Sequence, residues 1–232
     1  MDWKAYWNSI EESDFFRQVG RTHRQQPYSE QQVALIVDRI CTHLKADRQK
    51  RLLDLCCGNG LFTKRLSPHF GHITALDFSE RLIEVAKREF AADNVDYHVG
   101  DATELGNVQG QYDCVLVNGA LQYFDHHKAR LMFSSLTTLS GASATRIYLG
   151  EVADRDRRWN FYRGLLGRFR YYQGVLLDRP IIGHWWSPAD LLTLAQDAQM
   201  ELSIFYQSTD LPNYYFRYDV LLIARGLSHR DN

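Results

Sequence analysis

The sequence lacks most of the features that mark secreted, membrane-spanning and nucleic-acid-binding proteins. It has only four cysteines in 232 residues, so we expect reduced thiols and a cytoplasmic protein. No apolar run approaches the roughly twenty residues of a membrane helix, and no basic segment followed by an apolar one opens the chain. We therefore expect no signal peptide and no stable membrane insertion. The net charge of −1 creates no global field that would attract nucleic acid.

The features that are present centre on residues 52–60, LLDLCCGNG. A short apolar run stops at two cysteines, and a helical pattern begins at Leu61. This arrangement is typical of a buried parallel strand that ends in a tight turn and leads into a helix. Gly58 and Gly60 allow positive φ and a close approach to a ligand, while the new helix presents free N–H groups. The turn is therefore suited to a ligand that carries a carboxylate or phosphate.

Two further acids follow strand-like runs. Asp77 ends the run of residues 72–76, about twenty residues after the glycine turn, where an acid can bind both ribose hydroxyls of a nucleoside. Asp101 follows the run of residues 95–99. In open α/β sheets the ligand lies beyond the carboxyl ends of the strands. We therefore expect Asp54, Asp77 and Asp101 to converge on one site.

These motifs resemble those of the class I S-adenosylmethionine-dependent methyltransferases over about residues 50–150. Residues 54–60 match the family's motif I, Asp77 matches the acid after strand two, and Asp101-Ala102 matches the adenine-side motif. Residues 112–121, YDCVLVNGAL, resemble the strand-four motif and its loop. Cys56 stands where the family has its first glycine, so the turn should survive with less freedom in φ.

The resemblance implies that the cofactor is S-adenosyl-L-methionine. No metal is expected at Cys56-Cys57, because no other cysteine cluster completes a ligand set. The cofactor contacts expected at the matching positions are Asp54, Cys56, Gly58, Gly60, Asp77, Phe78, Asp101, Ala102, Asn118 and Gly119.

The remaining pattern predicts a single α/β domain over residues 1–232. Helical spacing is found over residues 33–44 and after Leu61, Ser79, Asp125 and Ser187, and it alternates with strand-like runs. Such alternation produces a parallel sheet with right-handed crossovers. Residues 201–207 and 218–224 are similar to the antiparallel pair that closes the methyltransferase sheet. We therefore expect a Rossmann-like, mostly parallel seven-stranded sheet with helices on both faces and an antiparallel last strand.

The N-terminal arm, residues 1–27, is aromatic and charged and has two interpretations. It either packs on the domain or forms a lid over the cofactor. In the second case Arg21 pairs with the methionine carboxylate as a bidentate clamp. Tyr6 in this arm is a candidate substrate contact.

Residues 151–186 interrupt the alternation after strand five and form a predicted insertion. Seven arginines alternate there with aromatic rings, and the steps between Trp159, Tyr162, Leu166 and Phe169 favour an amphipathic helix in part of it. Three interpretations remain open: a packed cap, a substrate lid, and a basic helix on a membrane surface. The flanking acids Asp154, Asp156 and Asp178 dilute the charge and count against the third. The expected substrate contacts of the whole chain are Tyr6, Tyr123, Trp159, Tyr162 and Trp185.

A sulfonium methyl group is already activated, so a methyltransferase mainly aligns the acceptor, excludes water and sometimes removes a proton. Tyr123 and Phe124 are candidates for an aromatic wall. The candidate bases are His184, Glu151 and His126. His184 is favoured because it lies between the insertion and the sheet edge.

The resulting hypothesis is methyl transfer to an oxygen or nitrogen atom of a small-molecule acceptor. The stretches QVGRT and FRYD resemble bacterial methyltransferases of polysaccharide or natural-product pathways. The alternative is a catalytically silent domain that binds S-adenosylmethionine and supports a partner protein. A nicotinamide dehydrogenase is disfavoured because the glycines do not complete the G-x-G-x-x-G pattern.

Overall fold

A central sheet dominates the computed structural model, which describes residues 1–10, 14–108, 110–139 and 144–224. Seven strands of these described ranges form the sheet: β1 (Arg51–Leu55), β2 (His72–Asp77), β3 (Val95–Val99), β4 (Cys114–Asn118), β5 (Thr145–Ala153), β6 (Met200–Tyr206) and β7 (Arg217–Ala224). Their order is β3-β2-β1-β4-β5-β7-β6. Strands β1 to β5 run parallel, whereas β7 is antiparallel to both of its neighbours. The predicted Rossmann-like fold is confirmed.

Helices cover both faces of the sheet. The helices are α1 (Trp3–Ser9), α2 (Phe15–Gln18), α3 (Glu30–Leu44), α4 (Leu61–Leu66), α5 (Glu80–Glu89), α6 (His126–Thr138), α7 (Arg158–Phe161), α8 (Gly164–Leu176) and α9 (Pro188–Asp197). One face of the sheet packs against α3, α4 and α5, and the other packs against α6 and α9. A short hairpin, Thr22–His23 with Gln26–Pro27, precedes α3.

Strand β4 shows how the sequence pattern produces this layered core. Val115 and Val117 face the cluster that contains α6 and α9, whereas Cys114 and Leu116 face the cluster that contains α3 to α5. Successive strand side chains point to opposite faces. A strand buried on both sides is therefore apolar at every position rather than at alternate ones. This explains the continuous apolar run in the sequence.

The helices begin where side chains can satisfy their free N–H groups. Ser29 and Ser187 each form a capping box, with Gln32 and Asp190 as the reciprocal partners. Ser79 and Asp125 accept single hydrogen bonds at the starts of α5 and α6. Replacing such a cap by alanine typically costs about 1 kcal/mol. The starts predicted after Ser79, Asp125 and Ser187 agree with these caps.

Two boundaries differ from the sequence prediction. Strand β5 continues past residue 149 to Ala153, because a bulge between Leu149 and Val152 preserves its pairing with β7. Glu151 lies in this bulge with a φ of 56°, which sequence periodicity does not reveal. The segment from Trp159 to Phe169 is divided between α7 and α8 rather than forming one helix. Gly164, with a φ of 65°, begins α8 in a new direction.

Within the ranges described above, no helix combines the length and the apolar character that crossing a bilayer requires.

Candidate functional site

A cavity lies beyond the carboxyl ends of β1, β2 and β4. About 570 Å³ there is unoccupied by protein atoms, part of it open to solvent. Its lining combines polar groups with aromatic and aliphatic side chains. The lining residues are Trp7, Val19, Arg21, Cys56, Cys57, Gly58, Asn59, Leu61, Phe62, Asp77, Phe78, Leu82, Asn118, Gly119, Ala120, Tyr123 and Phe124.

The floor of the cavity is the turn between β1 and α4. Cys56, Gly58 and Gly60 all have positive φ, at 58°, 59° and 81°. A Cβ at Gly60 would lie 2.7 Å from the Tyr97 hydroxyl oxygen, so this position needs glycine for its space as well as its φ. Cys56 adopts the left-handed conformation despite its side chain. The turn therefore keeps its shape at the position where the family has glycine.

Asp77 joins this turn to the beginning of α5. Its Oδ2 accepts a hydrogen bond from the Gly58 amide at 2.9 Å, and its Oδ1 accepts one from the Ser79 amide at 2.9 Å. Burial raises the pKa of Asp77 to about 6, although both amides lower it. A carboxylate has roughly four acceptor positions, so Asp77 retains capacity for two hydroxyl groups from the cavity.

Asp54 and Asp101 lie outside the cavity lining. Asp54 is buried, accepts a hydrogen bond from the Thr63 hydroxyl at 2.6 Å and thereby ties β1 to α4. Burial raises its pKa to about 7, against the lowering effect of the Thr63 hydroxyl. Asp101 is exposed and accepts a hydrogen bond from the Thr103 amide at 2.8 Å, while Ala102 packs in the core.

All three carboxylates nevertheless act on the Cys56 thiol. Burial is the largest cause of the raised pKa of the Cys56 thiol, and Asp77, Asp101 and Asp54 add to it. The structure thus brings the three acids to one edge of the sheet, but only Asp77 lines the cavity.

Asn118 supplies the most informative polar group of the cavity. Its side-chain nitrogen and oxygen are buried and have no hydrogen-bond partner within the described part of the chain. Buried polar groups are nearly always hydrogen-bonded, because leaving one unpaired costs about 1–3 kcal/mol. The amide of Asn118 is therefore suited to a ligand in the cavity. The next residue, Gly119, has a φ of 65°, and a Cβ there would collide with the Arg21 guanidinium.

Arg21 brings a positive charge into the cavity, as the clamp prediction requires. Its guanidinium forms an ion pair with Glu151 and donates to the Asn118 carbonyl oxygen at 2.7 Å. It also lies 4.9 Å from the centroid of the Phe62 ring. In this structure the partner of Arg21 is a protein carboxylate. A ligand carboxylate would present the same chemical group.

Glu151 is buried behind Arg21 and does not line the cavity. It also accepts a hydrogen bond from the Tyr28 hydroxyl at 3.2 Å. Burial, followed by the Glu151 carboxylate, raises the pKa of Tyr28. As a candidate base, Glu151 therefore already has two donors on its carboxylate.

The N-terminal arm packs across the glycine turn. The Asn59 side chain donates to the Phe15 carbonyl oxygen and to Gln18 Oε1, both at 2.9 Å. The Trp3 ring lies 4.7 Å from the Tyr123 ring between centroids. Trp7, Val19 and Arg21 of the arm contribute to the lining. Tyr6 is exposed and packs against Trp3 and Trp7 outside it. Residues 11–13 of the arm lie outside the described residues.

His184 and His126 form an aromatic cluster on Trp186. The ring of His184 lies 4.5 Å from Trp186 and 4.8 Å from His126, between centroids. The His184 amide donates to the Gln122 carbonyl oxygen at 2.6 Å. Burial, followed by the neighbouring His126, lowers the pKa of His184. Its Nε2 is buried without a partner in the described ranges. Neither histidine lines the cavity.

The aromatic residues expected to contact substrate separate into two groups. Tyr123 lines the cavity, and its hydroxyl accepts a hydrogen bond from Gln122 Nε2 at 2.9 Å. Tyr162 and Trp185 instead belong to a small core cluster with Phe216. Trp159 packs beside it, 5.4 Å from the Tyr171 ring between centroids. The structure does not bring these three residues to the cavity lining.

Sequence reasoning missed a buried acid that supports the site. Asp219 accepts hydrogen bonds from the Glu151 amide and Gln207 Nε2, both at 2.8 Å, and forms an ion pair with Arg39. It therefore fixes the bulge that holds Glu151. The available signal was a single acid, Asp219, inside the apolar run of β7. Buried charges are rare unless they are paired, so an acid at this position indicates a buried partner. No group of three His, Cys, Asp or Glu residues suited to a metal occurs in the described ranges.

Comparisons with known proteins agree with this geometry. Residues 52–139 match the family model of the methyltransferase domain. The chain is 26% identical to a demethylmenaquinone methyltransferase of Leptospira interrogans, over 77% of this chain and 76% of that protein. It is 36% identical to the malonyl-[acyl-carrier protein] O-methyltransferase of Bacillus cereus, over 33% of this chain and 29% of that protein.

Solved structures show the same fold. Magnesium protoporphyrin IX methyltransferase from Synechocystis PCC 6803, with bound S-adenosylhomocysteine (SAH), aligns with a TM-score of 0.65 at 17% identity, covering 97% of this chain and 98% of that one. A methyltransferase from Methanosarcina mazei aligns with a TM-score of 0.62 at 17% identity, covering 82% of this chain and 98% of that one.

Proposed function

Because this chain belongs to the class I S-adenosylmethionine-dependent methyltransferases, we propose that it methylates an oxygen or nitrogen atom of a small-molecule acceptor. The observation that carries the proposal is the unpartnered Asn118 amide, buried in a cavity that also contains Arg21 and Asp77. This set offers an amide, a cation and a carboxylate to one polar ligand. S-adenosylmethionine, when bound, supplies an activated methyl group.

The residues present fit that cofactor. Arg21 would exchange its Glu151 partner for the methionine carboxylate, and Asp77 would accept hydrogen bonds from the ribose hydroxyls. Gly58 and Gly60 would allow the backbone close to the ligand. Phe78, Asn118 and Gly119 would complete the contacts. Cys56 would lie at the floor, and Asp54 would hold the turn from behind. Asp101 and Ala102 remain the proposed adenine-side residues, at the edge of the sheet beyond the lining.

The chain's own residues would exclude water from the methyl group. Trp7, Tyr123 and Phe124 form an aromatic wall, and aromatic faces tolerate a sulfonium cation. The contacts of the N-terminal arm with Asn59 and Tyr123 support its role as a lid. In the insertion, Trp159, Tyr162 and Trp185 would shape the acceptor side through their packed cluster, and Tyr6 would contact the acceptor at the rim.

His184 is the proposed general base. Burial favours its neutral form, which accepts a proton, and its Nε2 has no other described partner. His126 is exposed beside it, and the Glu151 carboxylate is engaged by Arg21 and Tyr28. Positioned bases typically contribute 10²–10⁴-fold to rate. His184→Ala should therefore lower single-turnover methyl transfer by about a hundredfold or more, with cofactor affinity unchanged. Full activity with an intact melting curve would remove His184 from the mechanism.

For the methyl acceptor we propose a chemical class. The names of the relatives give three different acceptors: demethylmenaquinone, malonyl-[acyl-carrier protein] and magnesium protoporphyrin IX. A natural-product or polysaccharide precursor with a planar or anionic part fits the arginines and aromatic rings of the insertion. A cytoplasmic setting is supported by the free thiols of Cys41, Cys56, Cys57 and Cys114.

The deciding experiment supplies methyl-labelled cofactor and a bacterial metabolite extract to the purified chain. Labelled product in the small-molecule fraction is the expected result, and mass spectrometry then identifies the acceptor. The Asp77→Ala variant is the matched control and should give little label. Label found only in protein or nucleic acid would overturn the acceptor class.

A further inference from the structure

The outer face of α8 is apolar and uncovered. Leu165, Phe169, Tyr172 and Leu176 are 86%, 64%, 61% and 83% exposed. At about 3.6 residues per turn, their spacing of four, three and four residues places them in one row along the helix. We call these four residues the α8 stripe. Large apolar side chains scattered singly are normal on a protein surface, but a continuous row marks an interaction site.

The opposite side of α8 attaches the helix to the protein. Gly167, Tyr171 and Gly174 are half-buried and lie on that side. A Cβ on Gly167 would lie 2.5 Å from the Tyr162 carbonyl carbon, and Tyr171 packs on the rings of Trp159 and Tyr162. The small and aromatic residues thus fix the helix close to the domain. The α8 stripe consequently faces away from the described part of the chain.

Arginines lie on both sides of α8, between the α8 stripe and the domain. By helical geometry, Arg168 lies on one flank and Arg170 on the other, each nearer to the domain than the stripe is. Arg163 and Arg179 lie at the two ends of the helix, and all four are exposed. Arg168 lies 5.2 Å over the Trp159 ring. An apolar row bordered by cations is the pattern of a helix that lies in a bilayer interface, where long side chains extend toward the headgroups.

Two of the three acids that dilute this charge in the sequence, Asp154 and Asp178, have partners in the structure, while Asp156 is exposed. Asp154 is buried and accepts a hydrogen bond from the Asp156 amide at 2.9 Å. Asp178 forms an ion pair with the N-terminal amino group of Met1. Over residues 163–181 the sequence has four arginines and one acid, Asp178, so the border of the α8 stripe is positive.

We propose that α8 docks this protein on the surface of a bilayer that contains anionic phospholipids. The leucine, phenylalanine and tyrosine side chains would enter the acyl–headgroup boundary while the arginines contact lipid phosphates. A second copy of the chain fits less well. Stripe-on-stripe packing would bring the positive border of one copy against that of the other. The inference depends on this surface alone and not on the identity of the methyl acceptor.

The test is cosedimentation of the full chain with vesicles. One set consists of phosphatidylcholine with about one third phosphatidylglycerol, and the other of phosphatidylcholine alone. We expect binding to the anionic set, weaker binding to the neutral set, and a loss of binding as salt is raised. The double variant Leu165→Glu/Phe169→Glu should bind at least about tenfold more weakly. Leu192→Glu, at an exposed leucine of α9, is the matched control and should bind as the parent does.

Variants of the arginines distinguish binding to lipid headgroups from a simple apolar contact. Arg170→Gln and Arg179→Gln should each weaken binding to anionic vesicles by about fivefold and leave binding to neutral vesicles unchanged. The melting temperatures of all these variants should match that of the parent, because the altered side chains are exposed. If the double variant melts early, Leu176→Glu replaces it in the comparison.

Two results would overturn the proposal. One is the absence of binding to anionic vesicles by the parent chain, or equal binding by the parent and the stripe variants. The other is a dimer in analytical ultracentrifugation that Phe169→Glu dissociates, without vesicle binding. That result would assign the α8 stripe to a second copy.

Discussion

The cavity at the ends of β1, β2 and β4 and the α8 stripe are incomplete in opposite ways. In the cavity, the Asn118 amide is buried without a described partner, while its neighbours Asp77 and Arg21 both have partners in the protein. On α8, apolar side chains are exposed although the helix is well attached on its other side. An unpaired buried polar group and an uncovered apolar row both cost free energy. A small polar ligand would satisfy the unpaired polar group in the cavity. A broad apolar surface would cover the row on α8.

The largest expected effect is a loss of unfolding free energy when the buried Arg21–Glu151 ion pair is broken. Arg21→Ala leaves the Glu151 carboxylate buried without its cation, which typically costs about 3–5 kcal/mol of unfolding free energy. Arg170→Ala, at an exposed arginine of α8, should change it by less than about 0.5 kcal/mol. Urea denaturation of both variants measures the difference.

The double variant Arg21→Ala/Glu151→Gln is the control for this explanation. It removes the uncompensated charge and should recover a large part of the lost stability. If Arg21→Ala alone melts like the parent protein, the Arg21–Glu151 ion pair does not stabilise the fold.

The second effect concerns ligand binding at Asp77. Asp77→Ala removes the proposed acceptor of two ribose hydroxyls and should lower the affinity for SAH by about 2–4 kcal/mol. Asp77 is also buried and accepts hydrogen bonds from two backbone amides, so some stability should be lost as well. Calorimetry below the melting temperature separates the two effects, and unchanged affinity would make Asp77 a structural residue.

Three glycines sharpen the comparison of the two regions. Gly60 has positive φ and no space for a Cβ, Gly164 at the beginning of α8 has positive φ and open space, and Gly106 has open space without positive φ. Alanine should therefore destabilise the protein by about 2–3 kcal/mol at Gly60, by about 1 kcal/mol at Gly164, and negligibly at Gly106. Equal melting temperatures for the first two variants would show that φ alone limits Gly60.

The smallest expected effect is a pH dependence of cofactor affinity. In the free protein, burial raises the pKa of Asp77 to about 6. In the proposed complex, ribose hydroxyls would donate to the ionised carboxylate, so binding should lower this pKa, and affinity should fall as pH drops below about 6. Between pH values of about 7.5 and 5.5, the affinity for SAH should fall by about fourfold. The same titration of Asp77→Asn should lack this step, and an equal fall in that variant would assign the effect to another group.

Parallel topology explains why the cofactor end was predictable. Each strand ends at the same edge, so a local motif after β1, β2 or β4 fixes the position of its residues. Gly58, Asp77 and Asn118 accordingly line one cavity, and Arg21 of the arm joins them there.

Other assignments depended on contacts that no local pattern contains. Asp54 is held behind the turn by Thr63, and the bulge of β5 places Glu151 beneath Arg21. His184 lies over Gln122, and Tyr162 and Trp185 pack with Phe216. Most of these partners are distant in sequence, so only the folded chain assigns them.

The sequence by itself determined the sheet and the glycine turn after β1, because hydrophobic period and glycine placement act over a few residues. Its predicted helical row in the insertion, from Trp159 to Phe169, is divided between α7 and α8 in the structure. The tertiary structure decided which side of α8 is buried. Gly167 and Tyr171 pack on Tyr162, and this contact turns Leu165, Phe169, Tyr172 and Leu176 outward. A helical pattern defines a face, but only long-range packing determines whether that face meets the core or the solvent.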